Sequence, residues 1–116
     1  EQPVAAEHSL GYFGASTGAA SALRAAAALP QIAAVVSRGG RPDLAYGALG
    51  LVAAPVLLIV GGLDQDVIQL NQQALEELKY VKKMSIIPGA SHLFEEPGTM
   101  EQVCEEAAEW FIRYLQ

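Results

Sequence analysis

Three side chains able to perform nucleophilic catalysis follow predicted strands in this 116-residue sequence. Ser16 stands in a G-x-S-x-G match, Gly14–Gly18, while Asp64 follows a Gly-Gly pair and His92 comes soon after a Pro-Gly pair. A serine hydroxyl becomes a strong nucleophile when a base takes its proton, and a histidine base needs a carboxylate to fix its tautomer. The three residues together could therefore transfer an acyl group from a substrate to water.

The serine motif indicates a sharp turn between a strand and a helix. Glycines on either side of such a serine avoid collisions between the strand and the helix that follows. That helix would aim its first backbone amides, including the N–H of Thr17, at an oxyanion formed beside Ser16. The motif alone is a weak signal, and its position between a predicted strand and a predicted helix strengthens it.

Each of these residues also has a simpler explanation. An aspartate after a strand is often a helix N-cap, a role that Asp66 fits, and a single histidine in a loop is usually a surface residue. Three such residues at one edge of a sheet favour the catalytic interpretation.

Alternating strand and helix patterns must position these residues. The sequence predicts strands at Ser9–Ala15, Ile32–Ser37, Pro55–Val60 and Lys83–Ile87, and helices at Thr17–Leu29, Asp66–Leu78 and Met100–Leu115. This order predicts a single α/β domain over residues 1–116, with a mostly parallel sheet of about four strands flanked by helices. Ligands of such sheets bind at the carboxyl ends of the strands, which is where Ser16, Asp64 and His92 fall.

The last helix shows the clearest periodicity in the chain. Its apolar residues fall on one stripe that includes Cys104, which we expect to be a core residue. Thr99 is the predicted N-cap, with Gln102 three residues later as in a capping box.

Composition and charge exclude several partners. Hydrophobic residues make up 52% of the chain, which argues against disorder, and the net charge of −6 argues against nucleic acid. The uncharged stretch Leu44–Leu63 is long enough to span a membrane, but Pro55 and four glycines predict a loop and a buried strand instead. We therefore expect neither nucleic acid nor a membrane as a partner.

The cysteine, the histidines and the terminus suggest a compartment and exclude a metal. A single cysteine and a first segment without a basic region predict a cytoplasmic protein without a signal peptide. His8 and His92 are the only histidines, so no metal-site spacing exists, and we expect no metal and no cofactor. Since residue 1 is Glu, the sequence is expected to be a processed product or a piece of a longer one.

Three segments resemble the α/β-hydrolase superfamily: GYFGASTGAASAL, APVLLIVGGLDQDV and IIPGASHLFEEPG. They are most similar to its dienelactone-hydrolase-like branch, including versions fused to phosphoribosyltransferase domains. The resemblance implies Ser16 as nucleophile, Asp64 as triad acid, His92 as general base and the Thr17 amide as one oxyanion donor. Asp64 is preferred to Asp66 because Gly61, Asp64 and Val67 match the family's G-x-x-D-x-x-V pattern. True dienelactone hydrolases carry Cys at the position of Ser16, so their substrate is not implied.

The resemblance covers only the C-terminal half of an α/β-hydrolase fold. The half that normally supplies a second oxyanion donor has no counterpart here. The expected function is hydrolysis of small ester-type substrates through a Ser-Asp-His triad and an acyl-enzyme, weakened by that loss.

Two alternatives belong to other classes. The first is a non-catalytic, self-associating α/β module that retains the triad residues by descent. It would form a homodimer through Ser9–Ala15, which would be an exposed edge strand in the absence of its usual neighbours. The second is a phosphate-binding module that uses Gly14–Gly18 with Arg38 and Arg41, which the net charge of −6 disfavours.

Overall fold

A computed structural model describes residues 2–6, 9–29 and 31–115, with residues 2–6 and 9 described by their backbone alone. The strands are β1 (Gln2–Ala6), β2 (Ser9–Ala15), β3 (Ile32–Arg38), β4 (Val56–Gly61) and β5 (Lys82–Ile87). The helices are α1 (Thr17–Ala28), α2 (Gln65–Glu77) and α3 (Thr99–Tyr114). Two short 3₁₀ segments, Pro42–Ala45 and Leu49–Leu51, lie between β3 and β4.

The strands form one sheet in the order β1-β2-β3-β4-β5. Strands β2 to β5 run parallel, which confirms the predicted α/β fold with four parallel strands and flanking helices. The carboxyl ends of these four strands therefore meet at one edge of the sheet, and the residues that follow them are brought together.

Strand β1 was not predicted, and it changes the position of Ser9–Ala15. It pairs antiparallel with β2, from Gln2 opposite Phe13 to Ala6 opposite Ser9. The other side of β2 pairs with β3. The expectation that Ser9–Ala15 is an exposed edge strand is therefore wrong, because a segment without a strong strand pattern covers it.

Helices cover both faces of the sheet. On one face α1, α2 and the 3₁₀ segments pack with alternate sheet residues such as Val35 and Leu58. On the opposite face α3 packs with the residues between them, such as Val36 and Ile59. All six residues of β4 are buried, as expected of a strand that is covered on both faces.

Two expectations about α3 are wrong. The N-cap is Gly98, in the left-handed region at φ 82°, and Thr99 is the first helical residue. Cys104 is exposed, because Val103, Ala107 and Trp110 form the row that faces the sheet while Cys104 lies beside that row.

The uncharged stretch Leu44–Leu63 contains the second 3₁₀ segment and β4, as expected of a loop followed by a buried strand. Within the described ranges, no helix has both the length and the apolar character that a membrane crossing requires.

Candidate active site

Ser16 is the single residue between β2 and α1. Its backbone has φ 50° and ψ −121°, a region that residues other than glycine seldom adopt. Its N–H donates to the carbonyl of Arg38 at 3.2 Å, and its carbonyl accepts from the N–H of Arg41 at 3.1 Å. These hydrogen bonds to the end of β3 and to the loop after it hold the strained residue at the carboxyl edge of the sheet.

Gly14 explains the first glycine of the motif. A Cβ atom at this position would lie 2.6 Å from the carbonyl oxygen of Gly18 and 2.7 Å from the Cα of Ala19. Both are backbone atoms, which cannot rotate away as a flexible side chain could. The start of α1 therefore passes so close to β2 at Gly14 that a side chain there would collide with the helix backbone.

The side chains of Ser16, His92 and Asp64 form a hydrogen-bonded chain. Ser16 Oγ lies 3.0 Å from His92 Nε2, and His92 Nδ1 lies 2.7 Å from Asp64 Oδ2. An ionised carboxylate can only accept, so the Nδ1 proton donates to Asp64, and Nε2 of the neutral ring accepts from the Ser16 hydroxyl. The imidazole is thus oriented with its unprotonated nitrogen toward the hydroxyl.

The chain of hydrogen bonds is partly shielded from solvent. The Asp64 side chain is 17% exposed and that of His92 is 39% exposed. The hydrogen bond between Asp64 and His92 is therefore less exposed to competition from water than a pair on the open surface would be.

Asp64 occupies the N-cap position of α2 but makes no capping hydrogen bond with its side chain. Its carboxylate bonds to His92 instead. Asp66 lies in the first turn of α2 and is exposed. Of the two carboxylates that the sequence places after β4, Asp64 is therefore the one that contacts the histidine.

His92 lies against a glycine that the sequence indicated only as part of a turn. Gly39 has φ 54°, and a Cβ atom there would approach the His92 ring to 3.4 Å. Glycine is favoured here because its left-handed backbone conformation disfavours a residue with a side chain. Gly39 thus lies in contact distance of the imidazole ring.

Glu96 supports the segment that carries His92. Its Oε1 accepts a hydrogen bond from the N–H of Ser91 at 3.0 Å. That backbone donor is the main cause that lowers the pKa of Glu96 below its ordinary value, so the ionised form makes the contact. A carboxylate four residues after the histidine has no recognised sequence signature, and the sequence alone did not indicate this contact.

Thr17 is exposed and is the first residue of α1. The first N–H groups of a helix have no carbonyl partner within the helix, so the N–H of Thr17 is able to bind an acceptor outside it. Beside it lies a surface depression of about 350 Å³, lined by Thr17, Ala20, Ser21, Arg24 and Leu44.

Both arginines near the glycine pair after β3 interact with other residues of this chain. Arg41 makes a bidentate pair with Asp43, at 3.0 and 2.9 Å, and this pairing lowers the pKa of the Asp43 carboxyl. The Arg38 guanidinium lies over the ring of Phe94, 5.7 Å from its centroid. Arg41 is thus already engaged with a carboxylate of this chain.

The sequence and the structure are similar to known hydrolases. The model of the dienelactone hydrolase family matches residues 1–115. The crystal structure of a dienelactone hydrolase from Anabaena variabilis superposes with a TM-score of 0.90 at 61% identity, over 91% of this chain and 50% of that one. The esterase domain of a Rhodothermus marinus protein has the same fold, with a TM-score of 0.81 at 18% identity, over 91% of this chain and 62% of that one.

Two curated relatives carry a different name. Proteins from two strains of Mycobacterium tuberculosis, each named "Putative phosphoribosyl transferase", are 57% identical over 115 residues. The match covers 98% of this chain but 26% of each relative. The chain thus spans about a quarter of these relatives and half of the Anabaena protein.

Proposed function

Because this chain belongs to the dienelactone hydrolase family, we propose that it hydrolyses ester-type substrates with Ser16 as nucleophile, His92 as general base and Asp64 as the triad acid. The observation that supports this most directly is the pair of hydrogen bonds through His92, at 3.0 Å to Ser16 Oγ and 2.7 Å to Asp64 Oδ2. Both distances lie within the range in which a proton is transferred between positioned groups.

The first half-reaction forms an acyl-enzyme. Ser16 Oγ attacks the ester carbonyl carbon while its proton passes to His92 Nε2, and Asp64 stabilises the imidazolium that results. The tetrahedral intermediate then collapses, the bond to the alcohol oxygen breaks, and the imidazolium returns the proton to the leaving alcohol. Ser16 is left as an ester of the substrate acid.

The second half-reaction repeats these steps with water. His92 takes a proton from water, the hydroxide oxygen attacks the acyl carbon, and the Ser16–acyl bond breaks. The proton on His92 returns to Ser16 Oγ as the free acid leaves. Each turnover therefore consumes one ester and one water molecule and releases an alcohol and an acid.

We expect a modest rate because the Thr17 N–H is the single oxyanion donor proposed here, whereas the family's fold normally supplies a second one. The Thr17 N–H would stabilise the negative oxygen in each tetrahedral intermediate. Loss of a single such donor typically lowers the rate by about 10²–10³.

Phosphoribosyl transfer is not proposed for this segment. It covers 26% of the relatives that carry that name, so their activity could reside in the rest of their length. A serine activated by histidine suits attack on an acyl carbon, whereas phosphoribosyl transfer requires a pyrophosphate-binding site.

The test is hydrolysis of p-nitrophenyl acetate by the purified chain and by two matched variants. Ser16→Ala should lower the rate by about 10³ or more, to the level of the buffer, because the nucleophile is lost. Ser85→Ala makes the same change within β5 and should leave the rate within twofold of the unmodified chain.

A rate that is unchanged in Ser16→Ala would contradict the proposal. Rates at the level of the buffer in both proteins would favour the alternative in which the chain is a non-catalytic, self-associating module that retains the triad residues by descent. Circular dichroism of both variants separates loss of the nucleophile from loss of the fold.

A further inference from the structure

We propose that Glu96 is a positioning residue for His92, and that it acts by accepting the backbone N–H of Ser91. This inference rests on the proposed function, since it concerns the histidine assigned there as the base. It adds a residue that the triad chemistry does not itself require and that never touches the reacting atoms.

The segment Ala90–Glu96 is fixed on its first side by backbone hydrogen bonds. The N–H of Ala90 donates to Ile87 at the end of β5, and the carbonyl of Ala90 accepts from the N–H of Leu63 at 3.0 Å. Leu63 directly precedes Asp64. The start of the His92 segment is therefore tied to the loop that carries the triad acid.

The far side of the segment is fixed to α3. Thr99 is 5% exposed, and both its N–H and its hydroxyl donate to the carbonyl of Glu96, at 3.1 and 2.8 Å. The backbone of Glu96 thus has a defined position relative to the start of α3. Its carboxylate reaches back from this fixed point to Ser91.

The middle of the segment has a strained backbone. Phe94 has φ 56°, is 3% exposed and packs in the core beneath α3. Its N–H donates to the carbonyl of Ser91 at 3.1 Å. A left-handed conformation at a residue other than glycine persists only where neighbouring contacts hold it.

Ser91 is therefore the point where these restraints meet, one residue before His92. Its carbonyl is held by Phe94 and its N–H by Glu96. Without the carboxylate the N–H would bond to water, and Ser91 would lose its hydrogen bond to Glu96. A small displacement of a general base lowers the rate steeply, because proton transfer depends on the distance between the two atoms.

The test compares three variants of similar side-chain size in the full chain. Glu96→Met removes the acceptor, Glu96→Gln keeps an amide oxygen that can accept the N–H, and Glu95→Met changes an exposed neighbour with the same loss of charge. For p-nitrophenyl acetate, Glu96→Met should lower kcat by about tenfold with KM within twofold, since the base and not the binding surface is displaced. Glu96→Gln and Glu95→Met should both stay within threefold of the unmodified chain.

A second readout does not depend on esterase activity. The proton between His92 Nδ1 and Asp64 should give a downfield resonance in proton NMR, assigned by its loss in His92→Ala. It should persist in Glu96→Gln and Glu95→Met and broaden or vanish in Glu96→Met. If the unmodified chain lacks Ser16-dependent activity, the proposed function fails while this resonance still tests the role of Glu96.

The proposal would be overturned by a Glu96→Met variant that keeps both kcat and the resonance. It would equally be overturned if Glu96→Gln lost as much as Glu96→Met, or if Glu95→Met lost as much as either. An equal loss in Glu96→Gln would assign the effect to the charge at position 96. An equal loss in Glu95→Met would assign it to the net charge of the segment.

Discussion

At the scale of single residues, the backbone of Ser16 determines how the site is arranged. Its φ of 50° and ψ of −121° lie in a sparsely populated region that costs about 1–3 kcal/mol for a residue with a side chain. Hydrogen bonds to Arg38 and Arg41 and the close passage of α1 over Gly14 offset that cost. As a result, the hydroxyl stands at the edge of the sheet, where His92 reaches it.

Asp64 and Asp66 offer a matched pair for testing the triad acid. Asp64→Asn should lower kcat by about 10³–10⁴, because an amide at this position no longer fixes the tautomer of His92 or stabilises its cation. Asp66→Asn makes the same change two residues away on an exposed side chain, and its kcat should stay within twofold. The measurement is steady-state hydrolysis of p-nitrophenyl acetate at pH 8.

Equal losses in the two variants would contradict the assignment of Asp64. They would indicate that kcat responds to the net charge at the start of α2 and not to a hydrogen bond with His92.

The sequence predicted the residues that now form the hydrogen-bonded chain, and it missed those that support them. Ser16, Asp64 and His92 could be located because each follows a strand, and parallel strands end at one edge. Gly39 and Glu96 could not be located in this way. Their contacts with His92 and Ser91 depend on the path of two loops, which no periodic pattern specifies.

At the scale of elements, the predicted strands and helices agree with the structure to within one or two residues at each end. The periodic apolar runs explain that agreement, since they fix which side of each element faces the sheet. The errors lie at features that are not periodic. Gly98, and not Thr99, caps α3, and Cys104 lies just outside the buried row of that helix.

Gly14 tests the close passage of α1 over β2. Gly14→Ala should lower the free energy of unfolding by about 1–3 kcal/mol, because the new Cβ meets backbone atoms that must move apart. Urea titration followed by circular dichroism measures the change. Gly50→Ala is the control, since the nearest neighbour of its Cβ would be the flexible end of Lys79 at 3.4 Å. Its free energy of unfolding should change by no more than about 0.5 kcal/mol, as is usual for surface substitutions.

A Gly14→Ala variant as stable as Gly50→Ala would contradict the structure of this turn. Esterase activity should fall with Gly14→Ala even at temperatures where it remains folded, because Ser16 would move with the strand.

Tyr46 connects the loop after β3 to α2, and its ionisation at alkaline pH should lower the stability of the fold. Its hydroxyl donates to the carbonyl of Leu70 at 2.8 Å, and burial, with Asp43 and Glu77 nearby, raises its pKa above 10.0. A raised pKa in the folded state means that its contribution is complete below the unfolded pKa and is lost as pH rises through the folded pKa. Tyr46→Phe should therefore cost about 1 kcal/mol at pH 7 and flatten the loss of stability above pH 10.

Thermal unfolding at pH 7, 9 and 10.5 measures this dependence, with the exposed Tyr80→Phe as the matched control. The same alkaline slope in Tyr46→Phe and the unmodified chain would show that another group causes the loss.

At the scale of the whole molecule, β1 closes the side of the sheet next to the nucleophile strand. The sequence did not predict it, because five residues that include Pro3 give no alternating pattern. A homodimer through Ser9–Ala15 stays a proposal, and it now requires that β1 leave its position beside β2. The chain spans about half the length of the Anabaena protein.

Removal of residues 1–6 tests whether β1 prevents self-association. The deletion exposes the unpaired N–H and C=O groups of β2, and such edges pair with other copies. Sedimentation velocity at micromolar concentrations should show a larger dimer fraction for the truncated chain than for the unmodified chain. Equal distributions would contradict a protective role of β1 and a dimer through β2.

Covalent labelling of Ser16 tests the proposed triad most directly. A fluorophosphonate reacts much faster with a serine whose proton is taken by a nearby base than with an ordinary serine, and its use needs no knowledge of the natural substrate. The triad predicts one adduct per chain by intact-mass spectrometry, mapped to Ser16 by peptide analysis, absent in Ser16→Ala and slowed by at least about a hundredfold in His92→Ala. An unmodified chain that stays unlabelled, or labelling that persists in Ser16→Ala, would contradict it.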